Sequence, residues 1–242
     1  MAKATSSKKK KAPVRKKSAA KPRIRPVAWV LRGIFSFLLA IFFWVSAYSV
    51  IPPPTTPYIL SEAVEQNGIS RSWVAADQIA PVMLRAVVAA EDANFCLHWG
   101  IDMRQLRAAI AEGANRGAST LSQQTVKNVW LWQGRSWSRK ALEALITPMV
   151  ELIWSKRRIL EVYLNVAEFD TGVFGIEAAA QHHFGVSALE LSAQQASTLA
   201  AVLPNPKERQ AVNPSEFIQR RARAIADGAA TIRVDGRSSC FE

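Results

Sequence analysis

The sequence contains few residues of the types that build disulfide frameworks and metal clusters. Its 242 residues include only two cysteines, Cys96 and Cys240, and three histidines. Two cysteines cannot by themselves form a disulfide framework or supply the four ligands of a structural zinc site, and no sequence feature favours their pairing. The sequence also has no phosphate-loop glycine motif, dinucleotide-binding fingerprint or GxSxG elbow. These absences argue against P-loop NTPases, nicotinamide-dependent oxidoreductases and α/β-hydrolases.

Acidic residues are missing from the first 32 positions. This segment holds 12 of the 31 basic residues and none of the 19 acidic ones, so residues 33–242 hold 19 of each. A formal net charge of +12 would suggest binding to nucleic acid if it were spread over a folded domain. Because the whole excess lies in one tail, the body of the protein is neutral and is not a basic domain.

An uncharged apolar run, Gly33–Ile51, follows the basic tail. As a helix its 19 residues would span about 28 Å, close to the hydrocarbon thickness of a bilayer. Trp44 and Tyr48 lie near the end of the run, where aromatic rings favour the headgroup region. Three prolines at 52–54 prevent the helix from continuing. The sequence therefore predicts a membrane anchor.

Two other structures could account for the same run. A buried core helix of this length would normally carry a polar face, which this run lacks. A cleaved signal peptide could use Ala47-Tyr48-Ser49 as its cleavage site. The run is, however, longer than the roughly 7–15 apolar residues of a signal peptide, and a long basic tail precedes it. We therefore favour the retained anchor.

The distribution of positive charge predicts the topology. Basic residues before a membrane span keep the N-terminus in the cytoplasm, so the body would face the periplasm of a bacterium from a single-pass anchor in the inner membrane. This explains the basic tail without nucleic acid, and we expect no nucleic-acid partner. The predicted organisation is a cytoplasmic tail (1–32), an anchor (33–51), a connector (52–79), a globular domain (80–230) and a C-terminal tail (231–242).

The globular domain shows helical patterning and no sustained two-residue alternation, so we predict an all-α fold. Pro81 suits the first position of a helix, and Thr120 with Gln123 has the spacing of a capping box. A helical stretch from Ser138 to about Glu168 should be kinked or divided at Pro148. Two more helices are predicted over 188–201 and 214–230.

The first candidate site is the segment AAEDANFCLHWGID. Leu84, Val88 and Glu91 have the spacing of one helical face, so Glu91 ends an apolar stripe. A carboxylate in such a setting is partly removed from water, which suits a general base. The alternative is a solvated helix end, Glu91-Asp92, with His98 bonded to a nearby carbonyl. The pattern alone leaves both interpretations open.

Two further segments carry polar groups at helical spacing. Gln124, Lys127 and Asn128 share a face of the helix that Thr120 begins, which suits an anionic, oxygen-rich ligand but could also be an ordinary polar surface. Arg139 and Glu143 form an i, i+4 pair with Lys140 beside them. Such pairs are common on helix surfaces, but a carboxylate held by Arg139 near a base would also fit a role in orienting groups or tuning charge. The same spacing at Arg157–Glu161 is interpreted as a surface ion pair, and the adjacent His182 and His183 as structural.

Together these segments resemble the peptidoglycan glycosyltransferase domain found in class A penicillin-binding proteins and in monofunctional biosynthetic peptidoglycan transglycosylases. The first four motifs are Glu91-Asp92-x-x-Phe95-x-x-His98-x-Gly100-x-Asp102, Gly117-x-Ser119-Thr120-x-x-Gln123-Gln124-x-x-Lys127-Asn128, Arg139-Lys140-x-x-Glu143 and Lys156-x-x-Ile159-Leu160-Glu161-x-Tyr163-Leu164-Asn165. Val173–Ala179 and Leu203–Pro206 continue the match, which covers about residues 80–225.

The resemblance implies a lysozyme-like all-α fold, with a small flexible subdomain between the first and third motifs that touches the membrane. It implies polymerisation of lipid II, with transfer from a lipid pyrophosphate donor to the 4-hydroxyl of the acceptor and inversion to a β-1,4 link. Membrane lipids, the growing glycan strand and cell-wall synthesis complexes would be the partners. Mg²⁺ could assist, although its ligands are unknown, and no organic cofactor is implied.

The resemblance also implies a role for each matching residue. Glu91 would be the general base and Glu143 an assisting carboxylate. Lys127, Arg139 and Lys140 would neutralise the leaving pyrophosphate, while Ser119, Gln124 and Asn128 would line the sugar and phosphate sites. The residues that would shape the site are Asp92, His98, Gly117, Tyr163 and Asn165.

The sequence departs from the family pattern in few places. Asp170 stands where the family usually carries Gly, which puts the local turn in doubt. No Lys-Thr-Gly occurs and no room for a penicillin-binding half remains after residue 242, so we expect no transpeptidase activity.

A lysozyme-like hydrolase or lytic transglycosylase is the nearest enzymatic alternative, but it would have no pyrophosphate to neutralise. A non-catalytic cell-wall scaffold is the alternative from another class.

Overall fold

The computed structural model describes residues 26–113, 117, 119–134 and 136–242. Residues 1–25, which make up most of the predicted basic tail, lie outside the described residues. So do residues 114–116, 118 and 135.

The elements in chain order are α1 (Pro26–Tyr48), α2 (Pro57–Glu65), β1 (Ser70–Arg71), α3 (Pro81–Glu91), α4 (Met103–Ala111), α5 (Leu121–Trp130), α6 (Trp137–Ile153), α7 (Lys156–Val166), β2 (Glu168–Asp170), β3 (Val173–Phe174), α8 (Ile176–Phe184), α9 (Ala193–Val202) and α10 (Glu216–Val234). Three short 3₁₀ turns lie at Ala76–Gln78, Phe95–Leu97 and Ala188–Glu190. Helices dominate this list, so the all-α prediction is confirmed.

Helix α1 is the one helix in the described ranges that is long and apolar enough to cross a membrane. Its 23 residues include a window of mean hydropathy 2.0, and 6% of that window is buried. The helix begins before the predicted apolar run and ends at Tyr48, ahead of the three prolines. Residues 39–242 form a compact unit, in which Trp154 Nε1 donates a hydrogen bond to the Val45 carbonyl at 2.9 Å.

The core of this unit consists of two groups of packed helices. Helices α3, α9 and α10 pack against one another, and α5 packs against α6 and α7. Side chains from both groups belong to one continuous apolar core, with Val87, Leu160 and Leu199 among its fully buried members. The helices α3 and α5, which carry the first two motifs, are therefore fixed along most of their lengths.

A small three-stranded sheet accompanies the helices. Strand β3 lies between β1, with which it pairs in parallel (Ser70 opposite Val173), and β2, with which it is antiparallel. These strands cannot be recognised in the sequence, because segments of two or three residues show no alternating pattern.

Two predicted helix starts are confirmed. Pro81 occupies the first turn of α3. The Thr120 hydroxyl accepts a hydrogen bond from the Gln123 backbone, and the Gln123 side chain accepts one from the Thr120 N–H at 3.1 Å, which completes the capping box.

Of the kink or division predicted at Pro148, only the division is shown to be wrong. Helix α6 continues through Pro148 to Ile153, and α7 begins after Ser155, whose hydroxyl caps it by accepting a hydrogen bond from Arg158 N at 3.1 Å. Thr147 and Val150, on either side of Pro148, are fully buried. Tertiary packing therefore holds the helix together across the hydrogen bond that the proline removes.

The helix predicted over 188–201 is interrupted near its start. A 3₁₀ turn capped by Ser187 comes first, and α9 then begins at Ala193 with Ser192 as its cap. Each serine forms a capping box with a residue three positions later, Glu190 and Gln195. Two successive caps stop the chain from forming one continuous helix.

The C-terminal tail is docked against the body. Helix α10 extends to Val234, and a disulfide joins Cys240 to Cys96, 144 residues earlier and just after α3. Phe241 is buried and lies 6.4 Å, between ring centroids, from Phe95 of the first motif. The pairing that the sequence left open is thus present, and it anchors the tail beside the first motif.

Candidate active site

Glu91 is the last residue of α3 and is half-buried. Gln124 of α5 donates a hydrogen bond from Nε2 to Glu91 Oε2 at 3.0 Å, and the Tyr163 hydroxyl donates to Gln124 Oε1 at 3.2 Å. The second oxygen, Oε1, is buried and has no hydrogen-bond partner in the structure. One carboxylate oxygen is therefore fixed, and the other can accept a proton.

Asp92 and His98 hold the first motif in place rather than facing an open cavity. The buried Asp92 carboxylate lies 2.9 Å from His98 Nε2 through Oδ1, and its Oδ2 accepts a hydrogen bond from the backbone N–H of Leu121 at 3.0 Å. The suggested carbonyl partner for His98 is therefore replaced by a carboxylate. Asp92 ties the end of α3 to the start of α5, which brings Glu91 next to Gln124.

Glu143 joins two cations of the third motif. Its side chain is buried, and it pairs with Arg139 at 2.8 Å and with Lys140. Lys140 Nζ also donates to Ser119 Oγ at 3.1 Å, so the second and third motifs meet at this point. Gly117 is exposed, with open space where a side chain would lie. The predicted interpretation of Glu143 as an orienting group fits this geometry.

Lys127 lies close to the same charges. Burial lowers the pKa of Lys127, and the nearby Arg139 and Lys140 lower it further, while Glu143 and Glu91 act in the opposite direction. A desolvated ammonium beside other cations is an unfavourable arrangement without an anion. The site thus concentrates positive charge where an anionic ligand would be stabilised.

A cavity of about 250 Å³ lies beside these residues. Four predicted site residues line it: Gln124, Lys127, Asn128 and Tyr163. Burial raises the pKa of Tyr163 well above its ordinary value, with a smaller contribution from the charge of Glu91, so the hydroxyl stays protonated as a hydrogen-bond donor. The structure therefore brings residues of the second and fourth motifs to one concave surface.

The cavity also includes residues that the sequence analysis did not predict. Tyr58 of α2 donates a hydrogen bond to Glu168, and both line the cavity with Gln133 and Lys207. Burial raises the pKa of the Glu168 carboxyl, although its bonds with Tyr58 and Gly172 counteract this. Tyr58 lies in the predicted connector, where no motif marks it, so only the fold reveals its position.

Asn165 acts on the backbone rather than on the cavity. Its Oδ1 accepts a hydrogen bond from Val74 N at 2.9 Å, and its Nδ2 donates to the Val74 carbonyl at 2.8 Å. Gly175 has a φ of +87°, and a Cβ there would lie 3.1 Å from the Asn165 carbonyl oxygen. Asn165 therefore shapes the site indirectly, by holding residues 70–75 against α7.

The predicted surface pair Arg157–Glu161 is wrong. Arg158 pairs with Glu161, and Arg157 Nη1 donates to the Phe241 carbonyl at 3.2 Å. Arg158 Nη2 also donates to the Tyr48 carbonyl at 3.0 Å. The two arginines bind the C-terminal tail and the end of α1, which local helix spacing could not show.

Assistance by Mg²⁺ stays a prediction, because Mg²⁺ is commonly held by one or two carboxylates together with water and substrate phosphates. Within the described part of the chain, the one place where three His, Cys, Asp or Glu side chains approach closely enough to hold a metal is Asp170, His182 and His183. Three carboxylates lie at the site: Glu91, Glu143, which is already paired with two cations, and Glu168, which accepts a hydrogen bond from Tyr58. We therefore derive no step through Mg²⁺.

Comparison with known proteins agrees with the motifs. A family model described as Transglycosylase matches residues 59–230. A biosynthetic peptidoglycan transglycosylase of Jannaschia sp. (strain CCS1) is 62% identical over 235 residues, which are 96% of this chain and 98% of the relative. Proteins of the same name from Pseudomonas fluorescens (strain SBW25) and Caulobacter vibrioides are 49% identical (83% of this chain, 88% of the relative) and 42% identical (88% and 98%). The resemblance is confirmed, and the chain belongs to the transglycosylase family.

Proposed function

We propose that this protein polymerises lipid II into β-1,4-linked glycan strands of peptidoglycan. As a family member it is a glycosyltransferase of cell-wall synthesis. The reaction transfers the growing chain from its lipid pyrophosphate to the 4-hydroxyl of an acceptor lipid II, with inversion at the anomeric carbon.

The observation that carries this proposal is the unpaired oxygen of Glu91. Oε1 is buried without a partner, while Gln124 fixes Oε2 at 3.0 Å. In the proposed step, Oε1 takes the proton of the acceptor 4-hydroxyl as that oxygen forms its bond to the anomeric carbon. The bond between that carbon and the pyrophosphate oxygen breaks at the same time, and the lipid pyrophosphate leaves with the electron pair.

The cation cluster supports departure of the pyrophosphate. Glu143 holds Arg139 and Lys140, and Lys127 lies near both of these cations. Preorganised cations stabilise negative charge that develops in the transition state. Glu143 then acts by positioning Arg139 and Lys140, and a hydrolase of finished glycan would gain nothing from this arrangement.

The proposed location is the inner membrane, with the N-terminus in the cytoplasm and the catalytic domain in the periplasm. The basic tail before α1 supports this orientation, because positive charge is retained on the cytoplasmic side. The disulfide between Cys96 and Cys240 supports it independently, since disulfides persist in the oxidising periplasm and are rare in the cytoplasm.

Membrane lipids and cell-wall synthesis complexes are proposed as further partners. Between the first and third motifs the chain exposes Met103, Ile110 and Trp132, with 51%, 65% and 45% of their surfaces accessible. Exposed large apolar side chains on a membrane-anchored protein suit contact with lipid tails and headgroups. An anchored domain also meets its lipid-linked substrate at a raised local concentration.

The test is to supply purified protein with lipid II and, separately, with finished glycan. We expect lipid II to be consumed and glycan strands to appear, with finished glycan left intact. Shortening of glycan without consumption of lipid II would show a hydrolase or lytic transglycosylase instead. Loss of neither substrate by folded protein would favour the scaffold alternative. Adding a chelator to the lipid II reaction tests the Mg²⁺ prediction.

A further inference from the structure

Two adjacent histidines of α8 face the same carboxylate. His182 Nε2 lies 3.7 Å and His183 Nε2 lies 3.8 Å from Asp170 Oδ2 at the end of β2. From the sequence, both histidines were interpreted as structural. Their ring centroids are 4.7 Å apart, with planes at 79° to each other. All three ligand atoms lie within 4.8 Å of one another.

One ring nitrogen of His183 has no hydrogen-bond partner. Its side chain is only 4% exposed, and Nε2 is buried without a hydrogen-bond partner. Burial lowers the pKa of His183, and the neighbouring His182 lowers it further, whereas Asp170 and a hydrogen bond with the Phe169 backbone raise it. An imidazole that is bonded through one ring nitrogen and unpaired at the other has the arrangement of a metal-binding histidine.

We infer that Asp170, His182 and His183 form a binding site for a transition-metal cation, with Zn²⁺ as the metal that their donors suit best. Two imidazole nitrogens and one carboxylate oxygen match the ligands that zinc takes, whereas Mg²⁺ and Ca²⁺ prefer all-oxygen sites. Zinc bonds of about 2.0–2.2 Å require ligand atoms slightly closer together than those seen here. Asp170 and His182 can make this adjustment, because their side chains are 36% and 50% exposed.

The surroundings leave the approach to these ligands open. The three residues line a cavity of about 370 Å³, which also includes Lys207, Glu208 and Arg209. Lys207 is bound to Glu62 at 2.7 Å, and Arg209 Nη1 donates to the Ala201 carbonyl at 3.0 Å. Thr171 N donates to Asp170 Oδ1 at 2.7 Å, which leaves Oδ2 for the metal. The nearby cations thus have other partners and do not occupy the carboxylate.

Bound metal would join β2 to α8. Asp170 lies two residues after Glu168, which lines the candidate active-site cavity, while both histidines lie in the last turn of α8. A cation shared between these elements would stabilise the folded state, because an unfolded chain does not hold the three ligands together. The proposal does not depend on the polymerase function, because it concerns residues outside the Glu91 site.

The test is calorimetric titration of Zn²⁺ into the full-length protein in detergent, prepared without a histidine tag. We expect one bound Zn²⁺ per chain, no measurable Mg²⁺ binding, and a weakening of more than about tenfold in Asp170→Asn and His182→Ala. Glu208→Gln, which alters a carboxylate of the same cavity, should bind like the wild type. Thermal unfolding should show Zn²⁺ raising the Tm of the wild type and of Glu208→Gln only.

Absence of Zn²⁺ binding to the wild type would overturn the proposal. So would unchanged affinity in Asp170→Asn and His182→Ala, which would place the metal elsewhere, or equal weakening in Glu208→Gln. Both ligand variants alter partly exposed side chains, so circular dichroism should show them folded. Because binding is read directly, failure here would not affect the lipid II assay, and failure of that assay would not affect this one.

Discussion

Asp92 Oδ2 accepts a hydrogen bond from the backbone N–H of Leu121 at 3.0 Å, across 29 residues of sequence. This bond satisfies one of the free N–H groups at the start of α5 and joins it to the end of α3. Because the two helices are joined in this way, Glu91 of α3 and Gln124 of α5 lie within hydrogen-bonding distance of each other. The position of the proposed base therefore depends on a buried neighbour that does not react.

Replacing Asp92 by Ala should destabilise the protein and displace Glu91. We expect the free energy of unfolding to fall by about 1–3 kcal/mol, because the buried partners of Asp92, His98 and Leu121 N, lose their bonds. Chemical denaturation measures this change. Asp77→Ala, at an exposed site, should stay within about 0.5 kcal/mol of the wild type. Equal stability of the two variants would contradict the role assigned to Asp92.

Replacing Glu143 by Gln should slow polymerisation through the two cations that it holds. Arg139 and Lys140 would lose their shared carboxylate, and kcat should fall on the order of a hundredfold if they stabilise the leaving pyrophosphate. Glu216→Gln is a matched control, because Glu216 also forms an i, i+4 pair with an arginine, Arg220, but both of these side chains are exposed. A kcat for Glu143→Gln equal to that of the control would show that the buried pair has no part in the reaction.

Lys127 gives the polymerase a predicted alkaline limit. Its pKa is lowered by burial and by neighbouring cations, so Lys127 loses its proton at a lower pH than an ordinary lysine. If its charge stabilises pyrophosphate, activity falls as the pH rises through this lowered pKa. Lys127→Arg keeps its charge to a much higher pH, so the alkaline limb of kcat/KM should move upward in a profile from about pH 7 to pH 10.5.

The control for this profile is Lys207→Arg. Burial alone would lower the pKa of Lys207, but the bond to Glu62 and nearby carboxylates raise it overall. Lys207 therefore stays charged over this pH range, and its replacement should leave the alkaline limb where it is. If kcat/KM falls at the same alkaline pH in Lys127→Arg and in the wild type, a group other than Lys127 determines that pH.

The disulfide should contribute to stability by restricting the unfolded chain. Cys96 and Cys240 close a loop across most of the domain, and we expect Cys240→Ser to lower the free energy of unfolding by about 2–4 kcal/mol. Reducing agent should lower the Tm of the wild type to that of the variant and leave the variant unchanged. Two titratable thiols in the native, unreduced protein would contradict this prediction.

Local sequence signals predicted the parts of the fold that depend on neighbouring residues. Pro81 and the Thr120–Gln123 pair identified the starts of α3 and α5, because caps act within one helical turn. Pro148 misled for the opposite reason: the local rule is outweighed by the burial of Thr147 and Val150. The paired strands β1 and β3 lie about a hundred residues apart and are too short to show a pattern.

The site could be predicted where motifs mark it and not where distant segments meet. Gln124, Lys127 and Tyr163 were predicted, and the structure places them around one cavity. Glu91 was also predicted, and it accepts a hydrogen bond from Gln124. Tyr58 has no motif, and its bond to Glu168 spans 110 residues. The metal-like grouping of Asp170 with His182 and His183 was also hidden, because it depends on how β2 returns beside α8.

Polymerisation of lipid II by Glu91→Gln tests the central claim most directly. The glutamine can still accept the hydrogen bond from Gln124 but cannot take a proton, so the variant should fold and attach to membranes normally. We expect its polymerisation rate to fall by at least about 10²-fold relative to the wild type. A folded, membrane-bound Glu91→Gln protein that polymerises lipid II at the wild-type rate would contradict the assignment of Glu91 as the general base.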